Sequence, residues 1–425
     1  MTILKIFKRG IFILILSFII SACETAKDPL VGERVSVFEK NIDKKENSAD
    51  EKILLNRPYI NESWTASSGN SSNTIGHIGG KKKLTKFAKN DIGVKNSISQ
   101  ILYSPVANKK AVFTIDGKLK IMATSLDTGK TLWSNPRLIN NEYLRYGALA
   151  LDNERLYAIT NSSQLVAINP ENGEIIYSKY FNTPLKSGLQ ICDDKLYFSN
   201  DIGEFFVIDA KTGEKLFVHK TMEEPNSFVK GSTPMCINNN LVVAFQNGEV
   251  HMLMRDMNTA IWLEALHKIN KTSLNNMSDI IANPITDGNV VIVKGYNDNM
   301  KAFNLENGST IWELPIGGIT TPAFSNKFMF DINNDNILNA IDITNGKTIW
   351  SKKIDIDDKK AIAFDPLLVN NQIILTFSNG EIIRINPYTG KEINREKLTS
   401  VIDTTPIIIE DKFIILSNAN VIIYK

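Results

Sequence analysis

The sequence contains few residues of the kinds that bind metals or act as nucleophiles. Its 425 residues include only three cysteines and four histidines. No Cys-x-x-Cys pair is present, and the histidines show no ligand spacing. Gly-x-Ser-x-Gly, P-loop and dinucleotide-binding motifs are also absent. These absences argue against zinc, hydrolase and nucleotide chemistry. We therefore interpret the four histidines as surface or packing residues: His77, His219, His251 and His267.

The sequence also lacks an excess of charge of either sign. It has 48 basic and 46 acidic side chains. Three of the basic ones, Lys5, Lys8 and Arg9, lie within residues 1–22, which contain no acidic residue. Without that segment the counts are 45 (48 − 3) and 46, a net charge of −1. Binding to nucleic acid needs a strong basic excess. The composition therefore predicts no nucleic-acid partner.

One long apolar run is present, from Ile11 to Ile20. It is about half as long as the roughly 20 residues that a membrane-spanning helix needs. A basic start, a short apolar core and small residues at its end are typical of a secretory signal peptide, here residues 1–22. Its last residues, with Cys23, resemble the bacterial lipobox, which implies cleavage before Cys23 and lipid attachment to it. An ordinary signal peptide with a chance cysteine and an uncleaved anchor are the alternatives.

Residues 23–60 are predicted to form a flexible tether from the lipidated Cys23. The stretch from Lys40 to Asn47 is polar and charged, without apolar periodicity. Glu24 follows the cysteine, and in enteric bacteria this favours sorting to the outer membrane. We therefore expect a lipid-anchored protein on the periplasmic face of that membrane. The less polar stretch from Pro29 to Val35 is either a docking segment or a plain linker.

The rest of the chain is dominated by an internal repeat, which indicates an array of similar units. A turn with Gly, or Asn once, recurs every 38 to 50 residues, and a large aromatic residue follows four positions later in most copies. Gly supplies the positive φ of a tight turn, and the aromatic ring is predicted to wedge between adjacent sheets. The residues in these two roles are Gly129, Trp133, Gly173, Tyr177, Gly213, Phe217, Asn258, Trp262, Gly308, Trp312, Gly346, Trp350 and Gly390.

Each copy shows short alternating runs and hairpin pairs such as Asn247-Gly248, and many open with a small residue before proline. This pattern predicts an all-β fold, an eight-bladed β-propeller of four-stranded antiparallel blades over residues 61–425. The last copy is one strand short. Residues Lys83–Ala88 are predicted to supply that strand, so that N- and C-terminal strands close the ring. A solenoid of stacked hairpins is the alternative architecture.

Cys192 and Cys236 are 44 residues apart, at similar positions in successive copies. An oxidising compartment permits a disulfide between neighbouring blades. Two separate buried thiols are the interpretation that we prefer from the sequence.

The Asp/Asn-x-Thr/Asn-Gly-Lys/Glu-x-x-Trp copies resemble the quinoprotein-type (PQQ-like) propeller repeat, over about residues 82–425. With the lipobox and the tether, the whole chain is similar to the BamB family of outer-membrane lipoproteins. Trp64, Ser68-Gly69-Asn70 and His77 resemble its alphaproteobacterial branch. The resemblance implies a scaffold without catalysis or cofactor, a monomer within a hetero-complex. Its implied partners are the POTRA domains of the central outer-membrane barrel protein, with unfolded outer-membrane proteins as further candidates.

The resemblance also implies two partner-binding stretches on neighbouring blades. In the first, Ser227 and Lys230 replace an apolar residue and an Arg of the family pattern, and in the second the final acid is missing. Lys cannot reproduce the planar fork of Arg, so the surface is expected to be altered in detail. Plain blade-joining loops are the alternative. The residues concerned are Phe228, Val229, Lys230, Gly231, Ser278 and Asp279.

Two other functions remain open at this point. A quinone-dependent dehydrogenase shares the repeat but needs a Ca²⁺ site of converging carboxylates and an Asp base. The resemblance implies that such enzymes are longer chains than this one. Some of them carry a vicinal cysteine pair, which is absent here. The acidic pairs Asp193-Asp194 and Asp357-Asp358 fall in predicted turns. A lipoprotein platform for another envelope ligand is the third possibility.

Overall fold

The computed structural model describes residues 52–94, 104–135, 147–160, 162–221, 230–256, 259–266, 280–297 and 299–425. These residues form 33 β-strands. No helix in the described ranges is long and apolar enough to cross a membrane. The predicted signal peptide, Cys23 and most of the predicted tether lie outside the described residues.

Two strands precede the first blade, β1 (His77–Ile78) and β2 (Lys86–Asp91). Blades 1 to 4 then follow in chain order, each of four strands. Blade 1 comprises β3 (Val106–Ala107), β4 (Ala111–Ile115), β5 (Ile121–Ser125) and β6 (Thr131–Ser134); blade 2, β7 (Gly147–Leu151), β8 (Leu156–Thr160), β9 (Gln164–Ile168) and β10 (Ile175–Tyr180); blade 3, β11 (Gln190–Cys192), β12 (Lys195–Ser199), β13 (Glu204–Asp209) and β14 (Lys215–Lys220); blade 4, β15 (Met235–Ile237), β16 (Asn240–Ala244), β17 (Glu249–Met254) and β18 (Ala260–Ala265).

Blades 5 to 8 continue the series. Blade 5 comprises β19 (Ile285–Thr286), β20 (Val290–Lys294), β21 (Met300–Asn304) and β22 (Thr310–Leu314); blade 6, β23 (Ala323–Ser325), β24 (Phe328–Ile332), β25 (Ile337–Asp342) and β26 (Thr348–Lys353); blade 7, β27 (Leu367–Val369), β28 (Gln372–Thr376), β29 (Glu381–Ile385) and β30 (Glu392–Lys397); blade 8, β31 (Ile407–Ile409), β32 (Lys412–Leu416), β33 (Asn420–Tyr424) and β2.

The predicted eight-bladed propeller of four-stranded antiparallel sheets is confirmed. Middle strands such as Leu156–Thr160 are buried along their whole length, because neighbouring blades cover both faces of each sheet. Outer strands such as Thr131–Ser134 expose every residue except the aromatic one. The core consequently lies between blades. In one cluster, Met252 and Trp262 of blade 4 pack with Phe303 of blade 5.

The repeated aromatic residues join consecutive blades, as predicted. Trp262 donates its indole N–H to the carbonyl of Leu305, at 3.0 Å, and its ring lies against the turn glycine Gly308. A Cβ atom on that glycine would be 2.8 Å from the ring. The same two contacts recur for four other aromatic residues and the next turn glycine: Trp133 with Gly173, Tyr177 with Gly213, Trp312 with Gly346, and Trp350 with Gly390.

Two members of the predicted set differ from this arrangement. Phe217 is 39% exposed, and the turn that it would cover includes residues 257–258, which lie outside the described residues. Gly129 has no aromatic partner on the preceding blade, because Ala88 of blade 8 occupies the aromatic position. The wedge is therefore replaced by a small side chain where the ring closes.

Ring closure pairs the two ends of the propeller. Strand β2 is antiparallel to β33, with Ala88 opposite Ile423 and Asn90 opposite Val421. The closing strand predicted at Lys83–Ala88 is thus present, but it begins three residues later, at Lys86. The order in blade 8 is β2-β33-β32-β31, so the outermost strand comes from the start of the domain.

The preference for separate thiols was wrong. Cys192, at the end of β11, and Cys236, in β15, form a disulfide, with their Cα atoms 6.7 Å apart. Both are first strands of their blades, so equivalent positions in adjacent blades face each other. The short first strands of adjacent blades lie next to each other, so two residues that are 44 positions apart in the sequence come close enough to bond. The bond links blade 3 to blade 4.

Residues 52–80 form a strap that crosses one end of the propeller. At its start, Ile53 is buried, and the amide of Asn56 donates to the Ser325 hydroxyl of blade 6 at 2.9 Å. Strand β1 then pairs with β27 of blade 7. Residues 52–60, which the sequence assigned to the tether, are therefore packed against the propeller along this path.

The middle of the strap reaches the remaining side of the ring. Asn61 bonds blade 8, donating to the Ile408 carbonyl at 2.8 Å, and Trp64 pairs with Ala107 of blade 1. Ser71 accepts the amide of Cys236 in blade 4, at 2.8 Å. The strap thereby covers the end of the ring at which each first strand finishes. We call this end the strap face, and the opposite end, where segments join one blade to the next, the connecting face.

Candidate partner-binding face

In the chain, the predicted partner-binding stretches lie between blades 3 and 4 and between blades 4 and 5. Phe228, Val229, Ser278 and Asp279 lie outside the described residues. The rest of the first stretch, Lys230 and Gly231, is described and held between two blades.

Gly231 and Lys230 are fixed through their backbones. The amide of Gly231 donates to the carbonyl of Lys186 at 3.0 Å, and the side chain of Gln246 donates to the carbonyl of Lys230 at 2.8 Å. A Cβ atom on Gly231 would lie 3.4 Å from the Cα atom of Ser187, so the two segments approach closely. The described end of the predicted stretch is thus a rigid joint between blades 3 and 4.

The Lys230 ammonium group interacts electrostatically with Asp365 near the centre of the ring. Burial lowers the pKa of this ammonium group, and the negative charge of Asp365, in blade 7, opposes that effect. Burial likewise raises the pKa of Asp365, and Lys230 opposes the rise. Each group therefore compensates the charge of the other inside the propeller. This position supports a structural role for Lys230 alongside the predicted contact with a partner.

A relay of hydrogen bonds runs from blade 4 to blade 8 along the channel, just before the first strands of these blades. In each step a backbone amide donates to the side chain that holds the same position in the next blade. The steps run from Thr233 to Asn283 at 2.6 Å, from Asn283 to Thr321 at 3.2 Å, from Thr321 to Asp365 at 2.8 Å, and from Asp365 to Thr405 at 3.3 Å. The sequence interpretation used these residues only as markers of strand starts. Their shared polar character before proline was the signal for this relay.

A buried ion pair lies near this relay. Lys294 of blade 5 contacts Asp331 of blade 6 and donates to the Thr320 hydroxyl at 3.0 Å. Both charged side chains are at most 1% exposed. Burial raises the pKa of Asp331, and Lys294 opposes the rise. Together with Lys230 and Asp365, this gives two pairs of opposite charge at the level of the relay.

A second polar cluster lies between blades 3 and 4, on the side of the connecting face. His219 Nε2 and His251 Nδ1 are 3.0 Å apart, and His251 Nε2 lies 3.2 Å from Glu249 Oε2. Thr221 donates to the same carboxylate. Burial and the neighbouring His219 lower the pKa of His251 to about 4. Burial raises the pKa of Glu249 and lowers that of His219.

The sequence interpretation missed this cluster because the two histidines are 32 residues apart and on different blades. An alignment of the repeat copies would have placed them on adjacent strands of neighbouring blades. His77, in contrast, has a local role: its Nδ1 atom contacts the carbonyl of Asn56 at 2.5 Å, and its Nε2 atom accepts the amide of Asn371 at 2.9 Å. His267 lies outside the described residues.

Comparison with known proteins identifies the family to which this propeller belongs. Residues 117–352 match the family model described as outer membrane protein assembly factor BamB. The chain belongs to the BamB family.

Individual relatives agree with that assignment. The outer membrane protein assembly factor BamB of Moranella endobia is 21% identical, and the alignment covers 73% of this chain and 81% of the relative. BamB of Escherichia coli is 20% identical over 76% of this chain and 83% of its own. An uncharacterized protein of Rickettsia conorii, RC0314, is 22% identical over 73% of this chain and 72% of its own.

Solved structures of the same fold include both BamB and enzymes. BamB from Moraxella catarrhalis superposes with a TM-score of 0.69 at 15% identity, over 81% of this chain and 100% of that chain. Quinohemoprotein alcohol dehydrogenase from Comamonas testosteroni gives a TM-score of 0.67 at 11% identity, over 85% of this chain and 80% of that chain. The superpositions establish the propeller fold alone.

The channel of this BamB-family chain does not fit a Ca²⁺–quinone centre. Such a centre needs converging carboxylates that are free to bind a cation. Here Asp331 is bound by Lys294, and Asp365 is compensated by Lys230 and accepts the Thr321 amide. Asn73 of the strap donates to the Thr233 carbonyl at 2.9 Å at this level of the channel. In the described residues no group of three or more His, Cys, Asp or Glu side chains could hold a metal ion.

Proposed function

We propose that the protein is a scaffold without catalytic activity in outer-membrane protein assembly, anchored by lipid on Cys23 to the periplasmic face of the outer membrane. In this proposal its connecting face binds the POTRA domains of the central barrel protein and assists insertion of β-barrel proteins. Family membership is the observation that carries the proposal. The pairing of Asp331 with Lys294 and of Asp365 with Lys230 supports a role other than quinone-dependent catalysis, because these two carboxylates already face cations.

The geometry favours the connecting face for the partner. The strap bonds to blades around most of the ring and so covers the opposite end. The first predicted stretch ends with the described residues Lys230 and Gly231 of the connecting face, and the second is followed directly by the described residue Ile280. Ile280 is fully buried, so the second stretch leads into a fixed point. Residues that are fixed at the ends of the two stretches suit a docking surface, because less conformational freedom is then lost on binding.

The first experiment is affinity purification of the tagged protein from detergent-solubilised envelopes of its host, with mass spectrometry of the co-purifying proteins. A POTRA-containing barrel protein as the main partner is the expected result. A redox protein as main partner, or no partner, would contradict the proposal.

The docking residues are then tested with purified POTRA domains. Asp279→Lys with Phe228→Ser should weaken binding at least tenfold, because charge and apolar contact are both lost. Glu171→Lys is the matched control, an exposed charge reversal on the strap face. Equal affinities for the double variant and the control would move the interface elsewhere. Unchanged thermal unfolding of both variants would show that the propeller is intact.

A further inference from the structure

One corner of the strap face combines basic and apolar side chains that are all exposed. The basic corner, as we name it, lies over blades 6 to 8, where the strap begins and where it ends. It consists of Lys52, Leu54, Arg57, Tyr59, Ile60, Lys81, Lys82 and Lys83.

Backbone hydrogen bonds bring the two halves of this corner together. The amide of Tyr59 donates to the carbonyl of His77 at 3.1 Å, and the amide of Gly79 donates to the carbonyl of Tyr59 at 2.7 Å. The Lys81 ammonium lies 3.3 Å from Asp411, in blade 8. The first arm of the strap and its returning arm thus run side by side, although some 20 residues separate them in the sequence.

The apolar members are far more exposed than packing requires. Leu54 is 63% exposed, Ile60 67% and Tyr59 45%. Other apolar residues of the strap, such as Ile53 and Trp64, are only 5% and 1% exposed. Exposed aliphatic and aromatic side chains among lysines and arginines are typical of surfaces that lie at the level of lipid headgroups.

The positive charge of this corner is local. The mature chain, without residues 1–22, carries a net charge of −1 (45 basic against 46 acidic residues). Two adjacent acids face lysines outside the corner: Glu410 lies 3.2 Å from Lys412, and Glu62 lies 2.7 Å from Lys109. Asp411 faces Lys81 and offsets one of the five positive charges of the corner. Attraction to an anionic surface would therefore come from this corner rather than from the whole protein.

The position of the corner suits a membrane partner. Ile53 is the first buried residue of the described chain, 30 residues after Cys23. With the coil dimensions predicted from the sequence, a tether of that length would span roughly 30 Å. A lipid on Cys23, as proposed above, would thus hold the corner close to the bilayer, and a second weak contact would act at high effective concentration. Only the distance of the basic corner from the bilayer depends on the proposed lipidation of Cys23. The exposure of its apolar side chains and its positive charge do not depend on it.

We propose that the basic corner binds an anionic phospholipid surface, with Arg57 and Lys81–Lys83 at the headgroups and Leu54 and Ile60 at the boundary with the acyl chains. The strap face is then turned to the membrane, and the connecting face remains accessible to a protein partner.

The test uses residues 24–425, which include every described residue and cannot receive a lipid on Cys23. Flotation is measured with phosphatidylethanolamine vesicles, with and without one quarter phosphatidylglycerol, at near-physiological ionic strength. We expect binding only to the anionic vesicles. Replacing Lys81, Lys82 and Lys83 by Gln should reduce the partition coefficient at least tenfold, because each lysine near such a surface contributes about a fivefold factor.

The matched control replaces three exposed lysines of the connecting face by Gln: Lys118, Lys359 and Lys360. It changes the net charge equally and should leave binding unchanged. Equal loss in both variants would overturn the proposal, because overall charge would then be the cause. Absence of binding to either vesicle would overturn it too. Leu54→Ser with Ile60→Ser should reduce binding at least threefold, and an unchanged partition would refute insertion of these side chains.

Each of these outcomes is independent of the assembly proposal. Loss of vesicle binding with normal POTRA binding would concern the basic corner alone. Normal vesicle binding without a POTRA partner would concern the proposed function alone.

Discussion

Trp312, on the outer strand of blade 5, covers the backbone of Gly346 in the turn of blade 6. A Cβ atom on Gly346 would lie 2.9 Å from two atoms of the Trp312 side chain, and Gly346 has a φ of +72°. The indole N–H is bonded to the Ile343 carbonyl at 2.6 Å. The glycine therefore serves two purposes at once, the turn conformation and the room for the neighbouring ring.

This pairing predicts strong coupling between the two residues. Gly346→Ala should destabilise the protein by about 2–4 kcal/mol, and Trp312→Ala by about 3–5 kcal/mol. In the double variant the space is free, so Gly346→Ala should cost only the backbone strain, about 1 kcal/mol. Denaturant unfolding of all four proteins measures the coupling, expected to be about 1–3 kcal/mol. Additive effects would contradict the wedge.

The channel charges predict rescue by a second substitution. Asp365→Asn retains an acceptor for the Thr321 amide but removes the charge that compensates Lys230. We expect a loss of about 1–2 kcal/mol in the free energy of unfolding, since a partly buried charge is left without its compensating group. Lys230→Met in addition should recover at least half of it. The control is Asp357→Asn, at an exposed site. A double variant no more stable than Asp365→Asn would disprove compensation.

The histidine pair predicts lower stability in acid. His251 has a pKa of about 4 in the folded protein against an ordinary value of 6.5. The unfolded state therefore binds more protons between these values, and the stability present above about pH 6.5 is lost as the pH falls towards about 4. The raised pKa of Glu249 acts oppositely, because that contribution is present below its ordinary value of 4.5 and is lost as the pH rises.

The measurement is urea unfolding across this range for the protein and for His251→Gln. We expect a shallower decline of stability in the variant between about pH 6.5 and pH 4, because the variant lacks the contribution of His251, whereas the opposite contribution of Glu249, which changes above pH 4.5, is present in both proteins. His77→Gln, which removes a histidine with other contacts, should change this slope less, as the pKa of His77 is lowered without a charged neighbour. Parallel pH curves for the protein and His251→Gln would show that the pair does not titrate on unfolding.

The disulfide gives a prediction about chemistry and stability together. Alkylation of the denatured, unreduced protein isolated from its host should leave Cys192 and Cys236 unmodified, and alkylation after reduction should label both, as measured by mass spectrometry of peptides. Replacing both cysteines by Ala should lower the free energy of unfolding by about 2–4 kcal/mol, because the bond closes a loop of 44 residues. Labelling of both without reduction would favour the separate thiols.

Repetition explains how much of the fold the sequence could predict. Because each blade needs the same turn glycine and the same wedge, blade number and strand order follow from a period. The strap has no period, and many of its contacts are backbone bonds to other blades, such as Ser71 to Cys236. Composition alone therefore placed residues 52–60 in a tether, although they contain the buried Ile53.

The candidate site was less predictable for a related reason. Its described features join residues of different blades: Lys230 with Asp365, and His219 with His251. Such pairs depend on the angle between blades and on which strand is innermost, neither of which a single copy of the repeat encodes. The small polar residue before proline was visible in the sequence, but its acceptor lies one blade further on.

The pairing of β2 with β33 also sets the order in which the molecule can be completed. The outermost strand of blade 8 leaves the ribosome before any strand of blade 1, while its partner Asn420–Tyr424 comes last. Blades 1 to 7 each contain four strands that are consecutive in the chain, whereas blade 8 is complete only with both β2 and β33. The ring is therefore closed by two strands that are made early and late in synthesis, and a chain truncated before Asn420 would lack β33 and leave β2 without its partner strand.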